Sequence, residues 1–332
     1  MKKKVGVIGV GHLGSIHAKL WSENHEVELV GLYDIEHEKV SSFASALNIK
    51  AFESIEAAAE VCDAVTIATS TVHHFEVARH FLAKGVHCLI EKPITATYQE
   101  AESLIDLAKQ TGAVIRVGHV ERFNPAIAAL KDYQIQPMFI EAHRLSQFRS
   151  RATDVSVIHD LMIHDIDIVL WLAQSKVESI DANGVAVITD TPDICNARIK
   201  FESGLVANLT ASRISANPMR KMRVFQKDAY FSIDFGKPDV EVYSISDENE
   251  QSGNGSVPAM NLGSIDSGTT KRAIFYSKPE VESLNAIGEE QKEFVKAING
   301  GKSIGADAEA AAEALRVAED INQMVSLGNP PH

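Results

Sequence analysis

Apolar and polar positions along this chain follow two rhythms, and the change between them falls near Gly118. Before it, short apolar runs alternate with longer amphipathic stretches. The runs lie at Lys4 to Val10, Val27 to Asp34, Lys50 to Phe52, Ala64 to Ser70, Val86 to Pro93 and Ala113 to Val120. Runs this short, bounded by polar residues, read as parallel strands covered on both faces. The stretches between them predict helices over 36–46, 55–61, 73–84 and 97–110, and the alternation as a whole predicts a doubly wound sheet. From Gly118 to about Ser246 the apolar positions recur every second residue. Candidate strands are Met138 to Leu145, Val177 to Ile188, Ile194 to Glu202, Leu205 to Ile214, Met222 to Phe235 and Val240 to Ser246. Hairpin turns are expected at Glu202-Ser203-Gly204 and Lys227-Asp228, so this second sheet should be mostly antiparallel. Asp247 to Thr270 is rich in Ser, Gly, Asn and acids and has no apolar period, which predicts a loop or lid. Two helices, Ser283 to Ile298 and Asp307 to Leu327, close the chain. The expected fold is α/β, with a nucleotide-binding domain over 1–118. A C-terminal α+β domain over 119–332 is built on an open, mostly antiparallel sheet. The uncovered face of such a sheet suits burial against another copy, a homo-oligomer of dimer or tetramer size.

Composition narrows the function classes. The net charge of −13 argues against general binding to nucleic acid or anionic membranes, because their phosphates would be repelled. Cys62, Cys88 and Cys195 are odd in number and have no metal-like spacing, which fits a reducing compartment. Lys2-Lys3-Lys4 is followed by only a short apolar segment broken by glycines, and no stretch approaches the ~20 apolar residues of a membrane span. A cytoplasmic protein is expected.

The first strand runs into Gly9-x-Gly11-x-x-Gly14 and then a helix. In such a turn the first glycine permits the bend, the second lets a pyrophosphate approach the backbone, and the third lets helix and strand pack closely. The helix N-terminus, with His12 and Leu13, offers unpaired N–H groups to phosphate. The second strand ends on Asp34, about 20 residues further on, where a carboxylate accepts ribose hydroxyls. Ile35 and Glu36 are not basic, so a 2′-phosphate would meet Asp34 unassisted, and the pattern predicts NAD rather than NADP. Ligands of such sheets lie beyond the strand ends. That singles out Thr69, Ser70 and His74, then Glu91-Lys92-Pro93, then Gly118 to Pro125 with Arg122 and Asn124. A second polar site is His159 to Leu172. On an α-helix Asp160, His164 and Asp167 fall within about 60° of one another, amid apolar residues. This stripe is either an internally bonded core histidine or a catalytic group. Asp160 and His164 alone are too few for a metal site, and no metal is expected.

Together, Gly9-x-Gly11-x-x-Gly14, Ala68-Thr69 with His74, Glu91-Lys92-Pro93, and Asp160-x-x-x-His164-x-x-Asp167 resemble the glucose-fructose oxidoreductase, inositol dehydrogenase and MocA (Gfo/Idh/MocA) family. The resemblance implies a Rossmann domain followed by an open-sheet domain, with the lysine and the helix histidine meeting at the nicotinamide. It also implies cofactor contacts from Gly9, Gly11, His12, Leu13, Gly14, Asp34, Thr69, Ser70, His74, Glu91, Lys92 and Arg122. Ser70 departs from the family, where proline is usual. Val117 to Pro125 and Asp160 to Asp167 further resemble bacterial dehydrogenases acting on the 3-hydroxyl of UDP-N-acetylglucosamine.

Arg144, Arg149 and Arg151, with Arg213, Arg220, Lys221 and Arg223, suit a diphosphate, although a solvated sheet face balancing nearby acids would use arginines equally. Substrate contacts are expected from Lys92, Asn124, Arg144, Arg151, His164, Arg213 and Arg220. Alcohol oxidation needs a proton acceptor. His164 serves near neutral pH, whereas Lys92 would have to fall by ~3 units, about 4 kcal/mol. His164 is therefore the expected base, oriented by Asp160, with Lys92 stabilising the alkoxide. Rival expectations are a dehydrogenase of a free sugar, inositol or other polyol, and an NAD-binding regulatory protein without turnover.

Overall fold

The structure, a computed structural model of the full chain, describes residues 2–148, 155–247, 258–267 and 270–328. In chain order the elements begin with β1 Lys3–Ile8, α1 His12–Glu23, β2 Val27–Tyr33, α2 His37–Ala46, β3 Lys50–Ala51 and α3 Ile55–Ala59. They continue with β4 Ala64–Ile67, α4 His74–Leu82, β5 His87–Glu91, α5 Tyr98–Thr111, β6 Ile115–Gly118 and α6 Pro125–Ala128. Next come β7 Phe139–Leu145, α7 Ile163–Ala173, β8 Val177–Val185, β9 Ile194–Phe201, β10 Val206–Ser212 and β11 Met219–Phe225. The last are β12 Ala229–Asp234, β13 Asp239–Asp247, β14 Met260–Ser267, β15 Thr270–Ser277, α8 Ala286–Ile298, β16 Ala306–Asp307 and α9 Ala308–Gly328.

Two compact units result. The first takes the chain up to Val120 together with Asn285–Arg316, and the second takes Glu121–Leu284 and the chain from Val317 on. A single cut after residue 118 therefore does not describe the packing. The reason is in α8, where Phe294 and Val295 join Val5, Val7, Ala18 and Trp21 in one apolar cluster.

The sheet of the first unit has the order β16-β6-β5-β4-β1-β2-β3. All its pairs are parallel except β16 with β6. One face is covered by Trp21, Val40 and Phe294 and the other by Phe81, Leu104 and Leu315. Burial on both sides is what made the strands legible as apolar runs. Because β1 lies between β2 and β4, the chain order reverses beside the carboxyl end of β1, where ligands of such sheets bind. Local signals set the helix ends. Thr97 and Glu100 form a reciprocal capping box on α5, and Gly112 closes it at φ 73°.

Among its described residues the second unit holds one nine-stranded sheet, ordered β14-β15-β13-β12-β11-β7-β10-β9-β8. It is antiparallel except for β7 with β10. Ile140, Ala142, Ala207, Leu209, Met222 and Val224 bury one face, and α7 packs against β7 and β10 on it. Two expectations are corrected. Asp247 to Thr270 is not wholly loop, because Met260–Ser267 pairs with β15 as a strand. Backbone pairing needs no apolar period, and Met260, Leu262 and Ile265 are exposed. Residues 248–257 and 268–269 of that segment lie outside the described residues. The second correction is that the helix carrying His164 opens with a π-helical turn, Ile158–Met162, in which Ile163 N–H bonds to Ile158 O. The wider turn breaks the 100° progression used to project Asp160.

Candidate active site

Each glycine of the first turn is needed for a different reason. Gly9 has φ 86°, and a Cβ there would lie 2.7 Å from the Ala68 carbonyl. A Cβ on Gly14 would lie 1.8 Å from Gly9 O. At Gly11 nothing lies within 4 Å of where a Cβ would be, so the protein itself makes no steric demand for glycine. The open space fits a group that must touch backbone. Around it, α1 starts at Gly11 without a side-chain cap or an acid in its first turn, and His12 and Leu13 are exposed. First-turn N–H groups left this way attract phosphate.

Asp34, at the end of β2, accepts from Val10 N–H through Oδ2 at 2.6 Å and from Glu36 N–H through Oδ1 at 3.0 Å. These bonds hold the carboxylate beside the glycine turn, and each oxygen keeps a lone pair for a ribose hydroxyl. Neither Ile35 nor Glu36, the two residues after it, is basic, so the site fits NAD.

Beyond β4, Ser70 sits at φ −68°, the angle a proline ring would impose. Its hydroxyl bonds His73 Nδ1 at 2.7 Å and its carbonyl receives His73 N–H at 2.9 Å, so the turn is held without the ring. His74 is buried, with Nδ1 2.9 Å from Pro93 O and Nε2 3.1 Å from Thr69 O. Burial holds its pKa below the usual histidine value against those two carbonyls. Both ring nitrogens thus face backbone, and the side chain ties the loop after β4 to the loop after β5. Glu91 ends β5 and Lys92 follows it, both half-buried.

In the second unit the arginines are mostly engaged by carboxylates. Arg122 makes a two-pronged bond to Asp167 at 2.8 and 2.6 Å and lies over the Trp171 ring. Arg144 makes the same arrangement with Asp165 at 3.0 and 2.7 Å, and donates to Glu121 at 2.7 Å. Burial opposes the Arg144 charge, but Asp165 and Glu121 outweigh it and hold its pKa above the usual arginine value. All five charged side chains are buried. Asp167 is therefore engaged by Arg122 rather than simply sharing a polar stripe with Asp160 and His164. Arg213 donates to Val155 O and lies 4.0 Å from Asp193. Asn124 caps α6 and donates to Glu121 and to Phe235 O. Arg220 is exposed and stands directly across from Arg144 on the neighbouring strand. Arg149 and Arg151 lie outside the described residues. Glu121 and Asp165 were not singled out by sequence, since single acids beside motif positions look like solvated charges. Among the described residues no His, Cys, Asp and Glu cluster is arranged to hold a metal, and no helix is long and apolar enough to cross a membrane.

Residues 3–119 match the model of the GFO_IDH_MocA oxidoreductase family, NAD-binding Rossmann fold, and residues 126–232 match the GFO/IDH/MocA C-terminal domain. The chain is similar to the UDP-N-acetylglucosamine 3-dehydrogenase of Acidithiobacillus ferrooxidans, with 36% identity over 323 residues that cover 97% of each. A solved structure of that bacterium's enzyme superposes with a TM-score of 0.85 at 34% identity, covering 98% of both chains. The scyllo-inositol dehydrogenase of Lactobacillus casei, solved with NAD(H) and scyllo-inositol, shares the fold, with a TM-score of 0.74 at 18% identity over 99% of this chain and 98% of that one.

Proposed function

Because the chain belongs to the Gfo/Idh/MocA family of NAD-dependent oxidoreductases, we propose that it oxidises the 3-hydroxyl of UDP-N-acetylglucosamine, or of a close relative, to the 3-keto sugar. The observation that carries this is the 36% identity to a UDP-N-acetylglucosamine 3-dehydrogenase along nearly the whole chain, through both units. The turn from Gly9 to Gly14 and Asp34 would hold the cofactor. Bound NAD supplies the hydride acceptor, and the remaining chemistry belongs to the chain's own residues.

Losing hydride from carbon leaves the hydroxyl proton to be taken up. His164 accepts it, Asp160 orients the imidazole and favours its charged form, and Lys92 as a cation stabilises the developing alkoxide. A sugar nucleotide also brings a diphosphate, and Arg220 is an exposed guanidinium suited to it. Arg144 and Arg213 serve indirectly, by holding the inner face and the loop before β9. An oligomer belongs to the same proposal. Phe139, Phe225, Tyr230, Tyr243 and Tyr276 form a continuous aromatic ladder on the outer sheet face, with ring centroids 4.8 to 5.9 Å apart. Such a surface suits a second copy.

The test is to incubate purified protein with NAD and UDP-N-acetylglucosamine, N-acetylglucosamine or myo-inositol, with an aminotransferase to remove keto product, and to follow NADH absorbance. Turnover confined to the sugar nucleotide is expected. Turnover with the free polyol and no thermal shift from UDP would overturn the substrate assignment.

A further inference from the structure

Two buried side chains outside the proposed proton chemistry form a line of hydrogen bonds that ends on Glu91. His17 lies on α1, three residues beyond Gly14, and Gln291 lies on α8; each is 1% exposed. Gln291 Nε2 stands 3.1 Å from the His17 carbonyl oxygen and 3.1 Å from His17 Nδ1. A carbonyl oxygen only accepts, so it is the amide nitrogen that must face His17. That nitrogen's second hydrogen points to Nδ1, which makes Nδ1 an acceptor and places the ring proton on Nε2. His17 Nε2 in turn lies 2.8 Å from Glu91 Oε1. Donation therefore runs one way, from α8 through α1 to the end of β5.

Glu91 Oε2 accepts the Lys92 N–H at 3.3 Å. It also rests over Gly118, where a Cβ would come within 2.9 Å of that oxygen. The carboxylate is thus gripped from three sides: the ring of His17, the backbone of Lys92 and the bare backbone of Gly118. We infer that His17 and Gln291 are positioning residues for Lys92, fixing the Glu91 carboxylate and through it the direction in which Lys92 leaves β5. This rests on the reading of Lys92 as the cation at the reacting hydroxyl. It gives α8, some two hundred residues downstream of Lys92 in sequence, a part in the cofactor-binding unit's chemistry. The same helix α1 would present its N-terminus to the cofactor phosphates, so one element would register both the phosphate cradle and the lysine. Angular error at a reacting group is costly, and a displacement of about 1 Å can lower rate about 100-fold.

Nitrogen-15 histidine spectra of the cofactor-free chain should show His17 as the Nε2–H tautomer, and Gln291→Met should abolish that preference. An Nδ1–H tautomer in the unsubstituted chain would overturn the inference. In turnover, His17→Leu and Gln291→Met should lower kcat about 10- to 100-fold, with NAD affinity changed less than about 3-fold. His17→Gln, whose amide nitrogen can replace the Nε2 donor, should recover most of the rate. Wild-type kcat in His17→Leu, or a loss that His17→Gln does not repair, would refute the positioning role. A wild-type chain that turns over no sugar nucleotide would sink the proposed function instead, and the tautomer would still decide the relay.

Discussion

Replacing Gly11 by alanine separates what the cofactor needs from what the protein needs. The backbone there is extended, φ −70° and ψ −159°, and alanine adopts it without strain. Apart from adjoining backbone, no atom lies within 4 Å of the added methyl. At a helix N-cap the loss of glycine costs up to about 1 kcal/mol, offset by about 0.4–1 kcal/mol of unfolded-state entropy. The net change corresponds to a Tm shift of no more than about 3 °C in a protein of this size. The bound diphosphate, in contrast, would meet the methyl where it approaches the backbone and would be lifted from the first-turn N–H groups. Losing one or two charge-assisted bonds of about 1.5–3 kcal/mol weakens NAD binding at least about 10- to 100-fold. Thermal unfolding of the cofactor-free chain and titration calorimetry with NAD make the comparison. Gly14→Ala is the control, since its Cβ would sit 1.8 Å from Gly9 O and must displace backbone. That variant should lose at least about 4 °C or fail to fold, the equivalent of about 3 kcal/mol or more. Gly11→Ala with wild-type NAD affinity would refute the assignment of this turn to the cofactor.

Other outcomes follow from the same geometry. Asp34→Ser should weaken NAD and narrow its preference over NADP by about 10-fold or more, because the carboxylate that meets the 2′ position is gone; an unchanged ratio of the two affinities would count against Asp34 as the ribose acid. Lys92→Met and His164→Asn should each lower turnover by at least about 100-fold with NAD binding little changed, and a variant near full rate would remove that residue from the mechanism. His74 and His87 are both held below the ordinary histidine pKa chiefly by burial. As pH falls the unfolded chain therefore takes up protons first, so stability is complete above about 6.5 and declines toward lower pH by at most about 1.4 kcal/mol per unit per histidine. A Tm flat between about pH 7 and 5.5 would contradict this.

Sequence alone carried the elements whose causes are local. Six short runs became six parallel strands, and in all but β3, a two-residue edge strand left partly exposed, cover on both faces required almost every position to be apolar. Gly9, Gly11, Gly14 and Asp34 were legible because one turn's sterics and one strand's length fix their spacing. Outward and inward alternation similarly announced the second sheet. The sequence could not announce where distant side chains end up. Arg144 and Arg213 look like surface donors in a string of letters, yet the fold buries them against Glu121, Asp165 and the Val155 carbonyl. The π turn before α7 depends on packing rather than on any periodic mark. Gln291 reads as an ordinary polar residue of an amphipathic helix, and its bond to His17 exists only because α8 returns to the first unit. The division has a physical origin. Backbone propensity and two-sided burial act within a few residues and leave a pattern in the sequence, whereas the partner of a buried charge or amide is chosen by contact between residues far apart in the chain, 274 positions for Gln291 and His17.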